Sequence, residues 1–286
     1  TRNASVPSYS GLILPDENIG IVNNHGVEFV ATYHDSADDW NWGVTGNFTY
    51  AKNKVVYMDE AENTPEWQKQ EGYPIDSQLL YQALGIYQSQ EEINGSATID
   101  DNVTPGDLQY LDKDGNNVIT ANDMIRINRT STPKIVYGFT LNAGWKGLDF
   151  NAFFQGQAMA STLFMPTMNM VQEYYEGRYV ENDPSTHATA KYPKALIKQT
   201  YCDTWNGQYS TWGLRNSSFL RLKSLEIGYT LPKNVVKKAN IENLRIYVNG
   251  TNLFTIDSFK VADPEVGSIT EYPLQRMVSF GVNLSF

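Results

Sequence analysis

The stretch Arg276-Met-Val-Ser-Phe-Gly-Val-Asn-Leu-Ser-Phe286 decides the fold class of this chain. Successive side chains of a β-strand point to opposite faces, so residues two apart share a face. Here one face is small or polar, while the other is apolar and carries Val278, Phe280, Val282, Leu284 and Phe286. Soluble β-sandwiches and transmembrane β-barrels both contain strands that alternate in this way. The length of the stretch and its repetition upstream favour the barrel, whose strands need roughly ten residues.

The same alternation recurs upstream and predicts seven strands in all. They cover about residues 27–33, 40–50, 134–145, 148–154, 219–231, 244–254 and 276–286. The connections between them alternate between short and long. The short ones lie at 34–39, 145–148 and 232–243, where one helical turn is expected in the last. The long ones lie at about 55–133, 158–215 and 256–275, and a short helix is expected near 76–87.

This alternation of connections is typical of outer-membrane barrels, which have short periplasmic turns and long extracellular loops. A soluble sandwich has no reason to collect its long loops at one end. Aromatic residues also cluster near the strand ends, as they do in the interfacial girdles of membrane barrels. These are Trp40, Trp42, Tyr50, Trp145 and Tyr229.

Composition excludes several other classes. The 286 residues carry a net charge of −10 and no basic patch, which argues against binding to nucleic acid. The single cysteine, Cys202, can form neither an internal disulfide nor a cysteine-based metal site. The sequence contains no run of 18 apolar residues and therefore predicts no transmembrane helix, but the strands of a membrane barrel do not need such a run.

Seven strands cannot form a whole barrel. A sheet in lipid must close on itself, because an open edge leaves backbone groups unpaired in hydrocarbon. Bacterial single-chain barrels also have even strand numbers. The expectation is therefore an all-β fold in which residues 1–286 are the C-terminal portion of a larger transmembrane barrel. Its edge strands, around Val27 and Phe280, should pair with strands outside these residues.

Several longer segments resemble SusC/RagA-type TonB-linked outer-membrane proteins. They begin with Asn18-Ile19-Gly20 and Asn24-His25-Gly26-Val27-Glu28, and continue with Gly106-Asp-Leu-Gln-Tyr-Leu-Asp-Lys-Asp-Gly-Asn116. The run from Phe219 to Pro232, the run from Arg245 to Phe254 and the closing Tyr272-Pro-Leu-Gln-Arg276 also match. Together these segments cover most of the chain in the family's order.

The resemblance implies a barrel of about 22 strands, plugged by an N-terminal domain, in the outer membrane of a Gram-negative bacterium. It implies import of large oligomers with energy from TonB, and a SusD-like surface lipoprotein as a lid. The further expected partners are outer-membrane lipid and an oligosaccharide or peptide cargo, with a dimer of transporter–lipoprotein pairs as an additional expectation. The plug, the TonB box and the earlier strands are absent from these residues.

One loop has the spacing of a calcium site. In the twelve residues from Asp112 to Asp123, oxygen-bearing groups fall at alternating positions, as in a calcium-binding loop. The candidate ligands are Asp112, Asp114, Asn116, the backbone carbonyl of Val118, Thr120 and Asp123. Position six is Asn117 instead of glycine, and position twelve is the shorter aspartate. A plain Asp/Asn/Gly turn without Ca²⁺ is the alternative.

The second long connection is rich in aromatic residues among polar ones. Such rings can stack on the faces of sugar rings, so Trp205, Tyr209 and Trp212 are the candidate substrate-binding residues. The alternative is that they pack the loops together or against the lid.

The sequence predicts no enzymatic activity, since it contains no nucleotide-binding loop, no HExxH motif and no nucleophile placed beside a histidine. Import of glycans is the leading functional hypothesis. Import of peptides, a passive porin or adhesin barrel, and a soluble carbohydrate-binding sandwich remain alternatives.

Overall fold

The computed structural model describes residues 20–164, 172–195, 206, 208–237, 240–268 and 271–286. Contacts divide the chain into two units. The sheet unit comprises Gly26–Ala51, Thr132–Ala160 and Asn216–Phe286, and the loop unit comprises the chain up to His25, Lys52–Ser131 and Ser161–Arg215.

A seven-stranded antiparallel sheet forms the framework, as the alternation predicts. Its seven strands lie side by side in the order in which they occur along the chain. The strands are β1 (Ile21–Ala37), β2 (Trp40–Tyr57), β7 (Ile135–Trp145), β8 (Leu148–Ala158), β11 (Phe219–Thr230), β12 (Asn243–Asp257) and β13 (Met277–Ser285). Within the described residues the sheet is open, with β1 and β13 at its two edges.

The loop unit contains short strands and helices. The strand pairs are β3 (Gln78–Leu80) with β6 (Ile125–Ile127), β4 (Ala83–Ile86) with β5 (Leu108–Tyr110), and β9 (Ser161–Leu163) with β10 (Leu214–Asn216). The helices are α1 (Gln90–Asn94), α2 (Gln172–Gly177) and α3 (Pro184–His187), and short 3-10 turns lie at Glu66–Gln68, Ala121–Asp123 and Thr211–Gly213. In the sheet unit, α4 (Lys233–Val236) is the helical turn predicted between β11 and β12.

Two local predictions are wrong. The helix expected near 76–87 is absent, and β3 and β4 occupy that segment because each pairs with a distant strand. The turn expected at 34–39 is shorter. β1 continues to Ala37, and Asp38, with a φ of 51°, begins a turn of only two residues. Pairing between β1 and β2 keeps the polar residues His34 and Asp35 in the strand.

The strand registers collect the apolar residues into rows that cross the sheet. Direct pairing joins one row near the short turns, which we call the turn-end row: Trp40, Trp145, Leu148, Tyr229, Ile246 and Val282. The next row on the same face is Trp42, Ala143, Phe150, Ile227, Val248 and Phe280. We call this side of the sheet the apolar face. Most of its large side chains are exposed, including Trp40, Trp42, Ile227, Tyr229, Ile246 and Val282.

The opposite side, the polar face, has rows of amides, hydroxyls and glycines. One row is Gly43, Asn142, Asn151, Glu226, Asn249 and Ser279. An ion-pair cluster lies on this face, where Arg245 donates to the carboxylates of Asp149 and Glu226, with Nη2···O distances of 2.5 and 2.7 Å. A continuous apolar face opposite a hydrogen-bonded polar face is the pattern of a barrel wall with lipid outside and a polar interior.

No helix in the described part of the chain combines the length and the apolar character needed to cross a membrane.

Candidate functional site

The predicted cation loop brings three carboxylates together. Asp112, Asp114 and Asp123 each place an oxygen within 4.8 Å of the other two. Asp114 is exposed, Asp112 is half-buried and Asp123 is completely buried. Hard oxygen atoms at this spacing are what Ca²⁺ and Mg²⁺ coordinate. The loop therefore has the donor set for a divalent cation of this kind.

Backbone N–H groups hold the loop in shape. Asp112 accepts hydrogen bonds from the N–H groups of Gly115 at 2.7 Å and Asn117 at 2.8 Å. Partial desolvation would raise the pKa of the Asp112 carboxyl, but these bonds to its charged form outweigh that effect and the pKa is lowered. Asp112 is thus anionic at neutral pH, as a cation ligand must be.

The structure accommodates the two residues that differ from the usual calcium-loop pattern. Asn117, in the position usually held by glycine, adopts the left-handed conformation with a φ of 64°. Asp123 ends the loop with a capping box, in which Thr120 and Asp123 exchange side-chain to backbone hydrogen bonds. Its carboxylate also accepts from the N–H groups of Lys113 at 2.8 Å and Asp114 at 3.2 Å. A buried aspartate therefore organises both ends of the loop.

The 3-10 turn Glu66–Gln68, which is distant in sequence, donates hydrogen bonds to the end of the loop. The sequence alone did not predict these contacts. The indole N–H of Trp67 donates to the carbonyl of Asn122 at 2.8 Å. The amide of Gln68 donates to the carbonyls of Ala121 at 2.7 Å and Met124 at 3.0 Å. These partners lie more than 50 residues away in sequence, and no local pattern connects Trp67 with a cation loop.

The candidate aromatic residues have different environments. Trp205 lies outside the described residues. Tyr209 is exposed, whereas Trp212 packs against the buried cluster around Tyr81 and Tyr110. Trp212 also meets the ring of Tyr192 edge-on, with centroids 5.7 Å apart. Tyr209 thus has an exposed ring, while the partly buried Trp212 contacts the cluster with part of its surface.

The buried carboxylate of Asp107 links the first long connection to the second. Asp107 has no exposed surface and accepts a hydrogen bond from the Asn206 amide at 2.8 Å. The Lys194 ammonium lies 3.4 Å from the same carboxylate. Because a buried charge is costly unless it is paired and hydrogen-bonded, these contacts fix the two connections to each other.

Within the sheet unit, a buried arginine fixes the third long connection. Arg221 of β11, only 2% exposed, donates to Asp263 at 2.7 Å and to Glu265 at 3.0 Å. Lys223 also contacts Glu265, at 2.8 Å. Burial would raise the pKa of the Asp263 carboxyl, but the hydrogen bond and charge of Arg221, together with the backbone N–H groups of Glu265 and Val266, outweigh burial and lower the pKa. We call this set of ion pairs the loop latch.

Comparisons with known proteins agree with this architecture. No family model matches the chain. Among curated proteins, it is 27% identical to "TonB-dependent receptor P3" of Formosa agariphila over 98% of the chain and 30% of that protein. It is 24% identical to "TonB-dependent receptor SusC" of Bacteroides thetaiotaomicron over 94% of the chain and 27% of that protein. The chain thus spans less than a third of the length of the curated relatives it matches.

Solved structures show the same fold. The chain superposes on "Structure of the RagAB peptide transporter" with a TM-score of 0.72 and 24% identity, covering 98% of this chain and 31% of that one. A "closed-closed" state of the RagAB peptide importer gives a TM-score of 0.70 at 25% identity, over 98% of this chain and 31% of that one.

The sheet therefore has the fold of the corresponding part of these barrel structures, and the relatives matched by sequence are named TonB-dependent receptors. More particularly, the chain is a homologue of the SusC/RagA-type TonB-dependent receptors, as its sequence motifs predict. The matched relatives are receptors and transporters, in agreement with the prediction that the chain is not an enzyme.

The loop latch gives a direct prediction. Asp263→Asn removes one anion from the buried Arg221 and should weaken the attachment of residues 258–268 to β11 by on the order of 2–3 kcal/mol. Faster hydrogen exchange in this connection, with the strands still protected, is the expected readout. The matched control is Glu271→Gln, which removes an exposed carboxylate from the same connection.

The pH dependence of the latch follows from the lowered pKa of Asp263. The ionised Asp263 carboxylate contributes its full stabilisation of the latch above pH 3.8, the ordinary pKa of aspartate. This stabilisation is lost as pH falls through the lower pKa of Asp263 in the folded state. Hydrogen exchange in residues 258–268 that is the same in Asp263→Asn and Glu271→Gln would contradict the latch.

Proposed function

We propose that this chain forms part of the wall and the long loops of an outer-membrane importer of large oligomers. In this proposal, TonB supplies the energy through a part of the receptor outside these residues, and a SusD-like surface lipoprotein serves as the lid. The single observation that carries it is the match of almost the whole chain to TonB-dependent receptors, SusC among them. The long connections, at about 58–134, 159–218 and 258–276, are then the extracellular loops of a Gram-negative outer-membrane protein.

Glycans are the leading cargo in this proposal. The exposed ring of Tyr209 and the aromatic, amide-rich connection around it suit sugars, which offer C–H faces for stacking and hydroxyls for hydrogen bonding. The amide-rich polar face also suits an uncharged, hydrogen-bonding cargo. Peptides are the second candidate, because the RagAB structures on which the chain superposes are of a peptide transporter.

Binding by the intact receptor tests the cargo. The receptor that contains this chain, purified with its co-purifying lipoprotein, is titrated calorimetrically with neutral oligosaccharides and with peptides of similar mass. Tyr209→Ala should weaken binding of the preferred cargo about fivefold to tenfold, corresponding to roughly 1 kcal/mol from one lost aromatic contact. Tyr175→Ala is the control, because Tyr175 is similarly exposed but the guanidinium of Arg178 lies over its ring, 5.0 Å from the centroid.

Two outcomes of this titration, and one of an uptake assay in cells, decide between the alternatives. Binding of peptides but not oligosaccharides would assign the receptor to peptide import. Uptake that persists in cells lacking TonB would identify a passive porin. Equal affinities for Tyr209→Ala, Tyr175→Ala and the parent receptor would remove Tyr209 from the substrate site.

The proposal includes a structural Ca²⁺ ion in the loop from Asp112 to Asp123. Its support is the mutual approach of three carboxylates, the lowered pKa of Asp112 and the left-handed Asn117. Asn116, Thr120 and the carbonyl of Val118 would complete an all-oxygen set of ligands. A cation bound there would offset repulsion among the carboxylates and hold the loop in the shape to which the lid or the cargo docks.

Removal of the cation should loosen this loop while the sheet stays folded. An ion that binds only the ordered loop stabilises that order by mass action. Chelation, or the double substitution Asp112→Ala with Asp114→Ala, should therefore open residues 100–130 to proteases and weaken binding of the lipoprotein lid. Asp101→Asn, at an exposed aspartate outside the loop, is the control. Identical cleavage patterns with and without calcium would leave the loop as a simple turn.

A further inference from the structure

A cavity of about 840 Å³ lies beside the connection between β11 and β12, at the short-turn end of the sheet. It is lined in part by α4 and by the end of the chain after β13. Apolar and cationic side chains share the lining, with Leu231, Ile241 and Phe286 on the apolar side and Lys233 and Lys237 on the cationic side. One carboxylate, that of Glu242, also lines it. The cavity is thus amphipathic and carries a net positive charge.

The two lysines are available to a ligand. Both side chains are exposed, and within the described part of the chain neither ammonium group forms an ion pair. Lys146, which lies at the same end of the sheet, differs in this respect because its ammonium contacts the carboxylate of Asp39 at 3.1 Å. The cavity therefore holds two lysines that form no ion pair in the described residues, with one carboxylate in the same lining, beside an apolar wall.

The position of the cavity relative to the apolar face indicates what fills it. Tyr229 belongs to the turn-end row, and Leu231 lies two residues further along the same face. Phe286 likewise lies two residues beyond Leu284, which pairs with Leu244 on that face. Tyr and Trp side chains mark the level at which acyl chains meet head groups. The lysines lie just past this level, where lipid phosphates lie.

We propose that this cavity binds an acidic phospholipid of the leaflet at the short-turn end. The ammonium groups of Lys233 and Lys237 contact the phosphate, while Leu231 and Phe286 contact the first methylenes of the acyl chains. Basic pockets at the membrane surface bind anionic head groups through this combination of charge and apolar contact. The proposal depends on the membrane placement of the sheet and is independent of which cargo the receptor imports.

Native mass spectrometry of the intact receptor tests the lipid site. The receptor is equilibrated with mixed micelles containing phosphatidylglycerol or phosphatidylcholine of the same acyl chains. The parent should retain phosphatidylglycerol in preference to phosphatidylcholine. The double variant Lys233→Gln with Lys237→Gln should lose about tenfold or more of that preference. Lys146→Gln should keep it, because that lysine is already paired with Asp39.

Two further measurements separate lipid from other sources of phosphate and from failure of the import function. Millimolar inorganic phosphate should not displace bound phosphatidylglycerol, because phosphate lacks the acyl chains; complete displacement would overturn the lipid assignment. Cargo binding should be unchanged in the double variant. The proposal is overturned if the parent binds both lipids equally, or if the double variant keeps the full preference for phosphatidylglycerol.

Discussion

The structure depends on one constraint, which is that antiparallel hydrogen bonding fixes which residues lie side by side across the sheet. Because the side-chain period of a strand is two, a shift of one residue in register would move every side chain to the opposite face. With the observed registers, Trp40, Tyr229 and Val282 share one row, while Asp149, Glu226 and Arg245 lie on the other face. The apolar face, the polar face and the positions of the connecting loops all follow from this pairing.

The β-bulge in β11 shows how the register survives an irregularity. The pairing of β11 shifts between Leu222 and Ser224 relative to both of its neighbours. Relative to β8 the extra residue is in β11, whereas relative to β12 the extra residue is in β12, between Thr251 and Phe254. Leu222 therefore lies opposite Phe154 and Phe254 on the apolar face, and Arg221 lies on the polar face. There Arg221 meets Asp263 and Glu265, so the local geometry of one strand also positions the third long connection.

The sequence predicts the sheet well because alternation is a local signal that each strand carries in itself. Prediction from the sequence fails where the contacts that decide the local structure are distant in sequence. The segment containing β3 and β4 forms strands only because partners at Ile125–Ile127 and Leu108–Tyr110 pair with it. The clamp of Trp67 on Asn122 and the contacts of Arg221 with Asp263 and Glu265 are likewise invisible to any window of neighbouring residues.

The candidate sites show the same division. The spacing of oxygen-bearing residues from Asp112 to Asp123 is a local pattern, and the structure brings the three carboxylates together as that pattern predicts. The roles of aromatic residues depend on tertiary packing. Tyr209 and Trp212 are near neighbours in sequence, yet one is exposed and the other packs against a buried cluster. Composition alone could nominate both residues but could not separate their roles.

The alternation of faces in β13 can be measured directly by cysteine labelling of the intact receptor in lipid. In a background where Cys202 is replaced by Ser, single cysteines are placed at Phe280, Val282, Ser279 and Asn283. Each is exposed to a lipid-soluble maleimide and to a charged, water-soluble one. The account predicts that the lipid-soluble reagent labels Phe280 and Val282 selectively, and that Ser279 and Asn283 resist it. Equal labelling at all four positions, or the reverse alternation, would contradict the assignment of the apolar face to lipid.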